Sequence, residues 1–171
     1  MIELQKFDSS AYEKLISWID TKEMLMQFGG PEFTFPLTAE QLDKSLSNKN
    51  RHAFKVIHVP TSSQIGHCEI HLTEDSAKFA RIIIGDELYR GQGLGTQLMH
   101  LLIQYCIDHL QQHRIELNVF DWNKAAIRCY EKVGFKINPN KSFERTVNGQ
   151  TWVAINMVLD NELWSESMRG A

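Results

Sequence analysis

No stretch of the 171-residue chain approaches the roughly 20 consecutive apolar residues that a membrane-crossing helix needs. The N-terminal segment MIELQKFDSSAYEKLISWID also lacks a basic start followed by an unbroken apolar core, so neither a membrane span nor a secretory leader is expected. A basic surplus is missing too: 18 Lys and Arg against 21 Asp and Glu give a net charge of -3, with no sign of a general nucleic-acid footprint. Cysteine is scarce. Cys68, Cys106 and Cys129 are widely spaced with no CxxC pair, which excludes a disulfide frame or zinc site and reads as reduced core thiols of a cytoplasmic protein. Of the histidines, His52, His58, His67, His71, His100, His109 and His113, the last two stand at i,i+4. They lie near a helix end where imidazole suits the dipole, and no metal is expected. Repeats, low-complexity tracts and linkers are absent, so residues 1–171 are read as one domain, with the tail from about 161, including Trp164, peripheral.

What is present alternates and then coils. Residues 2–7 alternate like a strand, and Asp8 to Ser10 precede amphipathic spacing at Tyr12, Leu15, Ile16 and Ile19. Met24 to Leu37 holds Gly29, Gly30, Pro31 and Pro36 and is expected to be a loop. Its Phe28, Phe33 and Phe35 mark it either as packed on the core or as a wall of a substrate pocket. Thr38 caps a short helix over 39–46. Strands are expected over 53–59 and 64–73, as an antiparallel hairpin with a bulge at Gly66, and over 78–85. A helix follows Gly93, presenting Leu94, Leu98, Leu101, Leu102, Tyr105 and Ile107 to the core. Then come a strand over 115–120, a helix over 124–132 capped by Asn123 and stopped by Gly134, a polar loop over 139–150, and a last strand over 151–159.

The most informative stretch is Ala80 to Leu102, ARIIIGDELYRGQGLGTQLMHLL: a β-branched strand, a turn with three glycines, then a helix start. First-turn amides point out of a helix, its dipole is positive there, and glycine lets an anion reach the backbone. A dinucleotide fingerprint needs GxGxxG early in a βαβ series, whereas Gly91, Gly93 and Gly95 give GxGxG after an antiparallel meander. A P-loop needs Gly-Lys-Ser/Thr, and no lysine follows these glycines. A third option is a pyrophosphate on the turn, with an extended thiol arm beside the strand.

Arg90-Gly91-Gln92-Gly93-Leu94-Gly95 resembles the Q/R-x-x-G-x-G/A signature of the Gcn5-related N-acetyltransferase (GNAT) superfamily. Some thirty residues on, NKAAIRCYEKVGF (Asn123 to Phe135) resembles its second signature, N-x-x-A-x-x-x-Y-x-x-x-G-F. The PLT near residue 36 and the wording IGDELYRGQG are most similar to the branch with ribosomal-protein and spermidine N-acetyltransferases. The resemblance implies an α+β GNAT-like fold: a mixed, mostly antiparallel twisted sheet of about seven strands flanked by about four helices. It implies acetyl-CoA as cosubstrate, with no metal, and direct transfer to a primary amine: a protein N-terminus, a polyamine or another small amine. Homodimers are common in the family.

By that resemblance the amides of Gln92, Gly93, Leu94, Gly95 and Thr96, after Gly91 and with Arg90 alongside, hold the pyrophosphate. Backbone groups of Ile83, Ile84 and Gly85 pair with the pantetheine amides, and an amide near Ile84 polarises the acetyl carbonyl. Asn123 contacts the pantetheine arm, though a helix cap explains it equally well. Tyr130 protonates the departing thiolate, whose thiol titrates near 8.5. A lysine-like acceptor titrates near 10.4 and needs a base; Glu69, between His67 and His71 on one strand face, resembles a family carboxylate. Arg128 and Lys132 read as a solvated helix face. A rival of another class, a catalytically idle acyl-CoA-binding module, is opposed by the intact glycine turn and Tyr130.

Overall fold

The first strand, β1 (Ile2–Lys6), pairs antiparallel with β2 (Arg51–His58), which pairs antiparallel with β3 (Ser63–Leu72). The structure is a computed structural model and describes residues 1–112 and 114–160; His113 and the tail with Trp164 lie outside them. The described chain forms two compact units, one of residues 1–71 and 80–95, the other of 72–79 and 96 onward. In the first the strand order is β1-β2-β3-β4, where β4 is Ala77–Ile84. In the second it is β4-β5-β7-β6, with β5 Arg114–Phe120, β6 Lys136–Val147 and β7 Gln150–Asp160. Every neighbouring pair given is antiparallel except β4 with β5, a parallel ladder of Ala77–Phe79 against Ile115–Leu117. The seven mostly antiparallel strands follow the expected α+β plan.

In the first unit a core of Phe7, Tyr12, Leu15, Leu25, Phe28 and Leu42 is contributed by the residue after β1 and by three helices: α1 (Tyr12–Ser17), α2 (Lys22–Gly29) and α3 (Ala39–Leu46). α2 corrects the loop expected from residue 24. Thr21 Oγ1 accepts the Met24 N–H at 3.1 Å, and Leu25 and Phe28 recur at helical spacing before Gly30, at φ 61°, ends the turn. The glycines and prolines punctuate the end of the helix. Phe28 and Phe33 are buried 6.4 Å apart, so much of the segment packs on the core, while Phe35 stays exposed.

In the second unit α4 (Leu94–Tyr105) continues into a π-helical turn, Cys106–Leu110. The buried side is Leu98, Met99, Leu102, Ile103 and Cys106, a regular helical stripe, leaving Leu94, Leu101, Tyr105 and Ile107 only partly covered; the expected face held Leu98 and Leu102 but was out of phase for the rest. Helix α5 (Lys124–Lys132) has the expected bounds, making five helices in place of about four. The polar loop expected over 139–150 is mostly β6, which lies at the end of the strand order. Its ladder with β7 is interrupted between Asn138 and Ser142, and the turn is Asn148-Gly149, both at positive φ.

The bulge read at Gly66 is present: Val56 faces Gly66 while Ile57 faces Gln64. A Cβ on Gly66 would collide with the Ile83 carbonyl oxygen, so glycine there permits close approach of β3 to β4.

Candidate active site

β4 ends at Ile84, and the next ten residues are held by their own backbone and by Arg90. Gly85 N–H donates to the Ile65 carbonyl at 2.9 Å, and a Cβ on Gly85 would enter the Trp18 indole. Arg90 Nε donates to the Ile84 carbonyl and Nη2 to the Gly85 carbonyl, both at 3.0 Å, with Nη1 3.3 Å from Glu87 Oε1. This corrects the placement of Arg90: its guanidinium fastens the strand end instead of standing free beside a phosphate. It also sharpens the register. Successive strand residues point their N–H and C=O groups to alternate edges. Ile83 and Gly85 face β3, so the Ile84 N–H, flanked by them, faces the other edge.

Gly91 and Gly93 have φ of 74° and 76°, which only glycine adopts at little cost, and nothing lies within 4 Å of where a Cβ would be. Gln92 sits between them, its side chain turned back onto the Leu88 carbonyl. The two left-handed glycines stand directly before the twelve-residue α4.

Beside this strand end the first unit buries a charge cluster. Glu69 is 1% exposed and its carboxylate receives Arg81 Nη1 at 3.0 Å, His67 Nε2 at 3.0 Å and His71 Nε2. Arg81 also donates to Ser45 Oγ at 2.7 Å and to Glu32 Oε2 at 2.6 Å, and lies 4.2 Å over the Phe33 ring. Arg51 adds a second guanidinium to Glu32. Burial pushes the Glu69 carboxyl up, but hydrogen bonds from His67 and His71 and the charges of His67 and Arg81 outweigh it and hold it well below the carboxylate range. Glu69 is thus an ionised, fully subscribed anchor and a poor proton acceptor. His67 Nδ1, in contrast, is buried without a hydrogen-bond partner among the described residues. His67, Glu69 and His71 do share a face, but no three His, Cys, Asp or Glu among the described residues are placed to share a metal ion.

The reading of the sequence missed Arg81, Glu32, Arg51 and Ser45. A signal was there for Arg81: a lone cation in the apolar run ARIII, one strand away from a lone Glu. Its φ of 53° was invisible, because such strained backbone in a non-glycine residue is set by tertiary contacts.

In the second unit Asn123 Oδ1 accepts the Ala126 N–H at 3.3 Å, so Asn123 does cap α5. Tyr130 is partly buried, its ring 6.2 Å from Phe135, and its hydroxyl has no hydrogen bond among the described residues. Burial, helped by the neighbouring Cys129, pushes its pKa up, so the phenol keeps its proton at any physiological pH. Thr96 Oγ1 is 3.6 Å from Cys129 Sγ. Arg128 is exposed, as a solvated helix face requires.

Residues 2–136 match the family described as "Acetyltransferase (GNAT) domain". The chain is 40% identical over 58 residues to the spermine/spermidine N(1)-acetyltransferase of Bacillus subtilis, a match covering 34% of this chain and 38% of that protein's length. It is 28% identical over 149 residues to the spermidine N(1)-acetyltransferase of Escherichia coli K12, covering 85% of this chain and 79% of that one. A structure of spermidine N-acetyltransferase from Vibrio cholerae in complex with CoA and spermine shares the fold, with a TM-score of 0.80 and 22% identity over 95% of this chain and 97% of the other. A dodecameric structure of the Vibrio cholerae enzyme superposes at 0.76 with 21% identity, over 95% of each chain.

Proposed function

The chain belongs to the Gcn5-related N-acetyltransferase (GNAT) family, and on that premise we propose that it moves the acetyl group of acetyl-CoA to a primary amine. The observation that carries this is the glycine turn that follows β4: Gly91 and Gly93 at positive φ with open space above them. Acetyl-CoA supplies an activated thioester and a pyrophosphate by which it is gripped. In this reading the amides of Gln92 to Thr96 hold the pyrophosphate, and the Ile84 N–H polarises the acetyl carbonyl. The Asn123 side chain contacts the pantetheine arm.

Tyr130 supplies the proton for the departing sulfur. Its hydroxyl, without a hydrogen-bond partner among the described residues, supports this role, since the phenol proton is not already engaged. Tyr130→Phe is expected to lower kcat by about 100-fold, with acetyl-CoA affinity by calorimetry unchanged. Wild-type turnover in that variant would end the assignment.

The names of the relatives make polyamines the first acceptors to assay. Residues 1–171 act as one acetyltransferase domain in this reading, supported by a family match that spans residues 2–136 of both units. Self-association into a dimer or larger assembly belongs to it too, supported by the dodecameric relative. The direct test is release of free CoA from acetyl-CoA across a panel of polyamines, aminoglycosides, amino acids and peptide N-termini. A panel without turnover, together with no acetyl-CoA binding, would refute the proposal. Among the described residues no helix is long and apolar enough to cross a membrane.

A further inference from the structure

We propose that Trp18 selects the acceptor: its indole receives the second, non-reacting ammonium of an alkyl diamine or polyamine whose other amine attacks the thioester. This rests on the acetyltransferase reading above. Trp18 closes α1, its N–H donating to the Leu15 carbonyl at 3.1 Å. The side chain is partly exposed and packs against the same core of the first unit as Ile83.

Its place against the strand end can be read from Gly85. Of the ring atoms, a Cβ built on Gly85 would come nearest to Cδ2, at the ring fusion, and would stand equally far from the neighbours Cε2 and Cε3. A fusion carbon has ring bonds on all its in-plane sides, so a group that close to it stands over the ring face. The indole therefore lies flat on Gly85, a contact that only a residue without a side chain permits. Gly85 follows Ile84, whose N–H is the one assigned to the acetyl carbonyl. Trp18 thus borders the reacting end of the strand, with part of its surface open to solvent.

The ring already carries a cation. The Lys14 ammonium stands over it, 5.7 Å from the centroid and within reach of a cation–π attraction. Lys14 is exposed and has no ion-pair partner among the described residues. Arg81, which stands over Phe33, is by contrast also bound to Glu69 and Glu32. A primary ammonium on a flexible stem, held by little besides the ring, marks the chemistry the ring accepts and is open to displacement.

Which nitrogen of the acceptor sits there follows from the reaction. The attacking nitrogen must shed a proton to present its lone pair, and a ring that favours positive charge opposes that loss. The ammonium on Trp18 is therefore the other end of the acceptor, set back from the thioester by a chain of methylenes. An acceptor with a single nitrogen forgoes this hold.

The readout is the kcat/KM for putrescine, a four-carbon diamine, divided by that for butylamine, both from CoA release. Wild type is expected to favour the diamine. Trp18→Leu is expected to lower the ratio about tenfold, through the KM of the diamine, and Trp18→Phe, which keeps a smaller ring, to restore part of it. Lys14→Met keeps the stem and removes the competing charge, so its KM for the diamine is expected to fall about threefold. A merely structural role for the pair gives no such gain. A wild type that takes both amines equally would overturn the proposal. So would a Trp18→Leu variant that loses both amines in proportion, leaving the indole a packing residue. An unchanged or raised diamine KM in Lys14→Met would overturn it as well, and decides alone if Trp18→Leu does not fold. Wild type that binds no acetyl-CoA, or turns over no amine at all, would refute the acetyltransferase reading itself, an outcome separate from these.

Discussion

Arg81→Leu is expected to cost about 3–5 kcal/mol at neutral pH, because it leaves the buried Glu69 carboxylate without its guanidinium. For a domain of this size that lowers Tm by about 10 °C, readable by calorimetry or urea denaturation. Ser45, Glu32 and Phe33 lose the same partner, so the loss is spread over the whole cluster. The double variant Arg81→Leu/Glu69→Leu should be more stable than Arg81→Leu alone, since removing both charges abolishes the unpaired one. The pH dependence has a definite sign. Glu69 has a depressed carboxyl pKa in the folded protein, so its stabilisation is complete above the ordinary carboxylate value. It fades as pH falls through the folded pKa. The gap between wild type and Arg81→Leu should therefore narrow in acid, below about pH 4. A gap under about 1 kcal/mol at neutral pH would mean the ion pair does not hold this interior together.

Gly93→Val carries the largest expected effect on binding: a loss of about 100-fold or more in acetyl-CoA affinity by calorimetry, or about 2.7 kcal/mol. A β-branched residue at a φ of 76° is strained, and its methyls occupy the open space above the turn. Strain and obstruction can be separated. Gly149 has a φ of 75° and equally open surroundings in the β6–β7 hairpin, with no part in the proposed site. Gly149→Val should therefore lose stability comparably and affinity hardly at all. Undiminished binding by Gly93→Val would remove the turn from the phosphate site.

Much of this fold was legible because its signals are local. Asn123 and Gly134 bracket α5, and the glycine turn announces itself by composition. The misreadings share a cause: in each, tertiary structure overrode a local cue. Gly29, Gly30 and Pro31 suggested a loop from residue 24, yet Thr21 starts a helix that Phe28 anchors in the core. Polar residues 139–147 suggested a loop, but an end strand needs few apolar residues once its backbone pairs with β7. On α4 the period was right and the phase was not: Met99, Ile103 and Cys106 are buried where Leu94, Leu101 and Tyr105 were expected, because the elements a helix packs on decide which of its apolar residues meet the core. In the candidate site, residue types were readable but their division of labour was not. Glu69 looked like the free base until Arg81, His67 and His71 were seen to occupy its oxygens, and Arg90 looked like a phosphate ligand until its donors were traced to carbonyls.

The bonds from Arg90 to the carbonyls of Ile84 and Gly85 tie the turn proposed to grip phosphate to the strand residue proposed to meet the acyl end. A shift of either disturbs the other, so in the proposed reading the two ends of one long cosubstrate are held by one tied piece of chain. Affinity gained at the nucleotide end is then converted into alignment at the thioester. A short acyl-pantetheine, lacking the pyrophosphate, would forfeit reactivity along with grip.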